Sequence, residues 1–155
     1  MLAFSMIREA RRGGLGTDVM TPVGSLRRFA PSVGDLVLLG VAPAARHPQV
    51  LHAFARLPVV VRVVTSEPSS MTVETTRGPV TLHVSDPDQA GPSLIWHTGA
   101  RAHVAQLQTR AAGLGLRFAD GRLSHATGEA VSCASEEECY ARLELPYIAP
   151  ELRSG

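Results

Sequence analysis

The sequence predicts an α+β fold in which a mixed β-sheet with flanking helices precedes a small α/β subdomain. Three segments of the first half are rich in Val and Thr, which favour strands, and they cover residues 59–65, 71–77 and 80–85. In the second half, Val104, Leu107 and Ala111 recur at the spacing of one helical face. Strand patterns therefore dominate the first half of the chain, and helical patterns dominate the second.

The domain boundary is predicted at Asp86-Pro87-Asp88, where turn-forming residues interrupt both patterns. The chain has 155 residues and is 45% hydrophobic, which is enough for one buried core or two small ones. We therefore expect a sheet domain over residues 1–88 and a smaller subdomain over residues 89–155.

Short local patterns predict the elements of the sheet domain. A helix is expected over residues 1–12 and a strand over residues 18–23. Leu36 to Val41 is an apolar run, typical of a central strand that is covered on both faces. Residues 43–48 are expected to form a loop, and an amphipathic helix is expected after Pro48, because proline suits the first helical turn.

The second subdomain has equally local signals. Residues 86–92 are predicted to be a linker, and a helix is predicted over residues 100–112. Asp120-Gly121 lies between two short apolar segments and has the chemistry of a two-residue hairpin turn. Ser135, with Glu138 three residues later, forms a capping box that predicts the start of another helix.

Charge gives the chain no global attraction to nucleic acid, because its net charge is +1 at pH 7. All 15 basic side chains are arginines, which a GC-rich coding sequence explains and which also suits bidentate phosphate contacts. Two cysteines, Cys133 and Cys139, indicate reduced thiols in a cytoplasmic protein. No apolar run reaches the roughly 18 residues of a membrane span, so no membrane partner is expected.

The most informative motif joins a phosphate-binding turn to a metal-binding strand that lacks one ligand. Gly24 allows the backbone to approach a ligand closely, and Ser25 can begin a helical turn whose free amides face a phosphate. Two carboxylates at alternate positions of a strand lie on one face and can hold two divalent cations. Asp35 occupies the first such position and Val37 occupies the second.

These residues resemble the palm and thumb of a bacterial family X DNA polymerase, the group of repair polymerases related to DNA polymerase beta. The resemblance extends from Met20 to Arg153 and rests on the segments 24–39, 96–99 and 145–153. It implies a nucleotidyltransferase-like palm over residues 1–88 and a thumb-like subdomain over residues 89–155.

The resemblance also locates a departure from the family, whose members hold two magnesium ions with three aspartates. Asp35 is retained, whereas Val37 and Thr81 occupy the other two positions. Valine cannot coordinate a metal, and a neutral hydroxyl is a poor ligand for Mg²⁺. We therefore expect weak metal binding at Asp35 and impaired catalysis. Replacement of the missing ligands by Glu67, Glu74, Asp86 or Asp88 is not expected, because strand alternation places none of them beside Asp35.

The resemblance implies a nucleotide-binding set, which comprises Gly24, Ser25, Arg28, Trp96, Thr98 and Gly99. In the family, the serine and the second arginine of the first motif bind the outer phosphates of the nucleotide, and the turn at the second motif holds its sugar and base. Trp96 has an alternative role as a core residue. Arg101 and Arg110, on the helix predicted over residues 100–112, are candidates for DNA contacts, and a solvated helix face is the alternative.

Three functions are compatible with these observations. The first is a palm and thumb module with impaired catalysis that binds nucleotide or DNA weakly. The second is an active DNA-directed DNA polymerase fragment with a displaced metal site, which would use Mg²⁺ or Mn²⁺, and the third is a non-catalytic interaction module. The resemblance implies a DNA primer/template and a deoxynucleoside triphosphate as partners. In full-length family members, helix-hairpin-helix segments precede the palm, and a phosphoesterase domain often follows the thumb.

Overall fold

The computed structural model describes residues 19–23 and 36–153. The chain divides into two compact units between Asp86 and Pro87. Within the described residues, unit 1 comprises residues 19–22 and 36–86, and unit 2 comprises Val23 and residues 87–153. The helix predicted over residues 1–12 lies outside the described residues.

Unit 1 is built on a five-stranded mixed sheet, as the sequence predicts. Its strands are β1 (Val19–Val23), β2 (Leu36–Val41), β3 (Val60–Glu67), β4 (Ser70–Thr75) and β5 (Gly78–Ser85). Their order in the sheet is β1-β2-β5-β4-β3. β2 and β5 pair in parallel, whereas β4 pairs antiparallel with both β3 and β5. The predicted hairpin of the last two strands is confirmed.

One face of this sheet carries the core of unit 1, because alternate residues of β4 and β5 are buried. The buried side chains on these two strands are Met71, Val73, Thr75, Val80, Leu82 and Val84. Helix α1 (His47–Ala55) packs on strands β3, β4 and β5 and buries Val50, Leu51 and Phe54. The residues between them, such as Thr72 and Thr81, point to the other face of the sheet and are only partly buried.

Helix α1 begins two residues earlier than predicted, at His47, and a 3-10 turn (Ala44–Arg46) replaces most of the predicted loop. A buried histidine explains the difference. The Nε2 atom of His47 lies 2.8 Å from the Ala42 carbonyl, and its Nδ1 atom lies 3.0 Å from the Ser69 hydroxyl. The ring thus fixes the start of the helix against the turn between β3 and β4.

Unit 2 contains helices α2 (Ala90–Thr98), α3 (Arg101–Gly113) and α4 (Glu136–Arg142) and a hairpin of β6 (Leu116–Ala119) and β7 (Arg122–His125). Two 3-10 turns, Pro87–Gln89 and Pro150–Leu152, flank these elements. The linker predicted over residues 86–92 is wrong, because helix α2 starts inside it. Pro92 lies in the first turn of α2, where amide groups have no acceptor within the helix and proline is tolerated.

The other local predictions for unit 2 are confirmed. The helix expected over residues 100–112 is α3. Asp120 and Gly121 have φ angles of 54° and 75°, the left-handed conformations that a two-residue hairpin turn requires. The Ser135 hydroxyl accepts a hydrogen bond from the Glu138 amide, as a capping box predicts.

The core of unit 2 joins all its helices to the hairpin. Its members are Ile95, Val104, Leu107, Ala111, Phe118, Leu123, Val131, Cys133, Cys139, Tyr140 and Leu143. Gln89, which is 2% exposed, connects two backbone segments beside this core. Its amide nitrogen donates to the Val131 carbonyl over 3.0 Å, and its amide oxygen accepts from the Leu123 amide over 2.9 Å.

The described helices include none that is both long enough and apolar enough to cross a membrane.

Candidate functional site

The two positions that the resemblance assigns to the missing aspartates lie side by side in the sheet of unit 1. Val37 on β2 and Thr81 on β5 are register partners in the parallel pair, so their side chains share one face. Thr81 is also the register partner of Thr72 on β4, and their hydroxyl oxygens lie 2.7 Å apart. The three residues form a row across adjacent strands that supplies no carboxylate.

Four residues of the predicted nucleotide and metal sites lie outside the described residues. They are Gly24, Ser25, Arg28 and Asp35. Their assigned roles remain predictions. Among the described residues, no group of three His, Cys, Asp or Glu side chains could hold a metal ion.

Of the alternative carboxylates, Glu74 lies nearest to this row in the sheet. It is two residues from Thr72 on β4, so both side chains point to the same face. Its register partners are Pro79 on β5 and Arg62 on β3. Glu67 lies at the far end of β3, and Asp86 follows β5 and lies 3.5 Å from the His47 ring.

His83 also lies on the face that carries Thr81, two residues along β5. Burial lowers the pKa of His83, and the negative charge of Glu67 opposes this effect. A neutral imidazole on this face can offer one donor and one acceptor, but it does not replace the charge of a carboxylate.

The segment expected to form a nucleotide-binding turn lies at the end of helix α2, and its role in nucleotide binding stays a prediction. Trp96 and Thr98 belong to the last helical turn, and Gly99, with φ 73°, caps it. The Trp96 ring packs edge-on against Phe118, with ring centroids 5.5 Å apart, which supports the alternative role in the core. Thr98 is fully buried. These positions are set by the packing of unit 2.

The two arginines predicted to contact DNA have different environments on helix α3. Arg101 is exposed at the first residue of the helix. Arg110 donates from Nε to the Leu143 carbonyl over 2.9 Å and from Nη2 to the Glu144 carbonyl over 3.5 Å. These carbonyls follow helix α4, so Arg110 caps that helix with a cation, an arrangement that the helix dipole favours. A structural role for Arg110 was not predicted.

Arg153 is a buried charged residue of unit 2 whose burial the sequence pattern did not predict. The residue is 1% exposed, and its guanidinium donates to the Glu136 carboxylate over 2.7 Å and to the Ile148 carbonyl over 2.8 Å. It also lies over the rings of Tyr140 and Tyr147, at 5.4 Å and 5.7 Å from their centroids. The segment 145–153, which carries part of the resemblance, is therefore held by a buried arginine.

A buried hydrogen bond between His103 and Tyr140 adjoins this arginine. The His103 Nε2 atom lies 2.9 Å from the Tyr140 hydroxyl. Burial, with a smaller contribution from the charge of Arg153, lowers the pKa of His103. Burial raises the pKa of Tyr140 to about 12. A neutral His103 can therefore accept a hydrogen bond from the phenol hydroxyl.

The two cysteines are free and fully buried, and they lie in the core of unit 2. A hydrogen bond between the thiols raises the pKa of Cys139, and burial adds to the increase. The Cys139 thiol is therefore held as a neutral core group.

A further group of arginines lies on the hairpin of unit 2. Arg117 and Arg122 line one cavity together with Asp120 and Ser124. The alternation of Arg117 with Phe118 and of Arg122 with Leu123 is visible in the sequence, and it would have placed both arginines on the solvent face of the predicted hairpin.

A comparison with known protein families gives a match within unit 2. Residues 93–154 match the family model of the DNA polymerase beta thumb. These residues are therefore a family X polymerase-like region. They include helix α3, the hairpin, helix α4 and the segment held by Arg153. No curated protein sequence matches the chain.

Proposed function

We propose that this chain is a palm and thumb module of a bacterial family X DNA polymerase in which nucleotidyl transfer is impaired and binding of nucleotide and DNA is retained. The observation that carries the proposal is the register of Val37 with Thr81. The match of residues 93–154 to a polymerase beta thumb supports the assignment of the second half.

The chemistry at the row of Val37, Thr81 and Thr72 explains the impairment. Two-metal transfer needs cations that bridge the transferring phosphoryl group and stabilise its charge. An isopropyl group offers no ligand, and the Thr81 hydroxyl is already engaged with Thr72. Neither side chain can act as a base near neutral pH. A single remaining aspartate, Asp35, gives at most weak Mg²⁺ or Mn²⁺ binding.

Binding of nucleotide can persist without these metals, because it depends on other groups. Backbone amides at the start of a helical turn and an arginine suffice to hold a phosphate. Ser25 and Arg28 are the residues that the resemblance assigns to this role. Arg28→Ala is expected to weaken triphosphate binding by about 1 to 3 kcal/mol, the scale of a lost charge-assisted hydrogen bond.

Binding of DNA is expected to be weak and to depend steeply on salt. The net charge of +1 provides no long-range attraction, so exposed arginines such as Arg101 must supply the phosphate contacts. Duplexes rich in A·T pairs and duplexes of mixed sequence should bind with similar affinity, because phosphate contacts carry no sequence information.

Primer extension tests the central claim. The wild-type chain, given a primed template, deoxynucleotides and either Mg²⁺ or Mn²⁺, is expected to add no nucleotide. Templated incorporation that disappears in Asp35→Ala would overturn the proposal. Thermal unfolding with deoxynucleotides provides the second measurement: stabilisation without added metal supports retained binding, and no stabilisation by nucleotide or DNA supports the interaction module instead.

One observation favours the second candidate, an active fragment with a displaced metal site. Glu74 lies on the same face as Thr72 and Thr81, where a carboxylate from β4 could take part in metal binding. In this case, nucleotide would stabilise the chain only with Mn²⁺ or Mg²⁺, and Glu74→Gln would abolish the effect. Glu151→Gln, at an exposed position of unit 2, is the matched control.

A further inference from the structure

The outer face of the β6–β7 hairpin is basic. Arg117 pairs with Ser124 in register, and Ala119 pairs with Arg122, so these four side chains share a face. The opposite face carries Phe118, which is 2% exposed and lies in the core of unit 2. The core therefore fixes which way the two arginines point.

The chain that follows β7 turns this face into a concave site. Ala130 forms a bridge with Ser124, and the His125 amide donates to the Glu129 carbonyl over 2.7 Å. The resulting cavity of about 310 Å³ is lined by the hairpin on one side and by Gly128 and Ala130 on the other. We call this cavity the hairpin arginine pocket.

The pocket has a rigid frame, which reduces the entropy lost when a ligand binds. The Gln89 amide accepts from Leu123 in β7 and donates to Val131 beyond the pocket wall. The Ser93 hydroxyl donates to the Gly121 carbonyl over 2.9 Å, which anchors the turn of the hairpin to helix α2. Both walls are thus attached to the core independently of any ligand.

The charges of the lining indicate a singly charged anion. Arg117 and Arg122 contribute two guanidinium groups, Asp120 contributes one carboxylate, and Ser124 contributes a hydroxyl donor. The formal sum is one positive charge. Guanidinium groups match the oxygens of phosphate in geometry, and a phosphodiester carries a single negative charge.

We propose that the hairpin arginine pocket binds one phosphodiester of a nucleic-acid backbone. This inference rests on the proposed function, which supplies DNA as the ligand, and it assigns the contact to residues that the sequence pattern did not select. Arg117 and Arg122 grip the two non-bridging oxygens, Ser124 adds a hydrogen bond, and Asp120 excludes a second phosphate from the same cavity.

Fluorescence anisotropy with a labelled duplex of about 20 base pairs tests the pocket across a series of salt concentrations. Arg117→Gln with Arg122→Gln is expected to raise Kd at least tenfold and to reduce the slope of log K against log salt by about one, the value for one lost phosphate contact. The matched control is Arg46→Gln with Arg77→Gln, which removes the same charge from exposed positions of unit 1. Equal losses in the two double variants would overturn the inference.

A small probe separates failure of the pocket from failure of the proposed function. Dimethyl phosphate carries the phosphodiester without a nucleoside, and it should shift the amide NMR signals of Ser124, Gly128 and Ala130 in the wild-type chain but not in the pocket variant. These shifts without any duplex binding would support the pocket and refute DNA as the ligand of the chain. Duplex binding that the pocket variant retains in full, without shifts by dimethyl phosphate, would refute the pocket and leave the proposed function standing. Unchanged unfolding curves of the variant confirm that it is folded.

Discussion

Arg153 and Glu136 form an ion pair inside unit 2, with 2.7 Å between Nη1 and Oε2 and side chains that are 0% and 5% exposed. The pair joins the segment after helix α4 to the first turn of that helix. The Ala100 amide, at the start of helix α3, also donates to the Arg153 carbonyl over 3.2 Å. One residue near the end of the described chain therefore connects three parts of the core.

Arg153→Leu is expected to destabilise unit 2 by about 3 to 5 kcal/mol, because it leaves the buried Glu136 carboxylate without its partner. Urea unfolding followed by circular dichroism measures the change. Arg101→Leu, at an exposed position, is the control and should change the stability little. Recovery of part of the loss in Arg153→Leu with Glu136→Leu would identify the unpaired charge as the cause.

Gly91→Ala is expected to destabilise unit 2 by more than about 1 kcal/mol, although alanine favours helices. A Cβ at residue 91 would collide with the backbone carbonyl of Ser135, which cannot move without displacing the start of helix α4. Gly113→Ala is the matched control, since a Cβ there meets no atom and should be neutral or stabilising. A melting temperature that rises equally in both variants would contradict this account.

The stability of unit 2 is expected to fall as the pH drops below 6.5, the ordinary pKa of histidine. The pKa of His103 is lowered in the folded state, so the unfolded chain binds more protons between the lowered value and 6.5. Stability is therefore fully present above pH 6.5 and is lost as the pH falls through this window. Urea titrations at pH 5.0 and 7.5 measure the change in stability, which should be smaller in His103→Gln than in the wild-type chain. His83→Gln measures the contribution of unit 1. If His103→Gln leaves the pH dependence of stability unchanged, other groups cause it.

Arg110→Ala is expected to lower the stability by about 1 kcal/mol and to leave DNA affinity nearly unchanged, because its guanidinium is hydrogen bonded to carbonyls after helix α4. Thermal unfolding and anisotropy with the same duplex measure the two effects. Arg101→Ala should give the reverse result. A large loss of DNA affinity with unchanged stability in Arg110→Ala would instead support the DNA contact that was predicted for this helix.

Val37→Asp with Thr81→Asp is expected to create measurable Mn²⁺ binding, because the two positions are register partners and would join Asp35 in supplying carboxylates. Isothermal titration calorimetry gives the affinity. Val61→Asp with Thr76→Asp, which adds the same charge at exposed positions outside this row, is the control. Absence of Mn²⁺ binding in a folded double variant would indicate that the scaffold no longer has the geometry of a metal site.

The sequence by itself determined the features that depend on neighbouring residues. The β2 strand, the Asp120-Gly121 turn and the Ser135 cap follow from a continuous apolar run, left-handed backbone angles and one hydrogen bond to a nearby amide. Helix α3 and the resemblance of the second half to a thumb could also be predicted from the sequence. These elements need no knowledge of the rest of the chain.

Only the tertiary structure decided which distant groups meet. Helix α2 was missed because its first turn contains a glycine and a proline that local rules assign to a linker. Close packing against Ser135 leaves no room for a side chain at Gly91, and the first turn of a helix tolerates Pro92. The burial of Arg153, the capping role of Arg110 and the alignment of Val37 with Thr81 all join residues more than ten positions apart. Such contacts depend on how elements pack and which strands pair, and short-range periodicity carries no information about either.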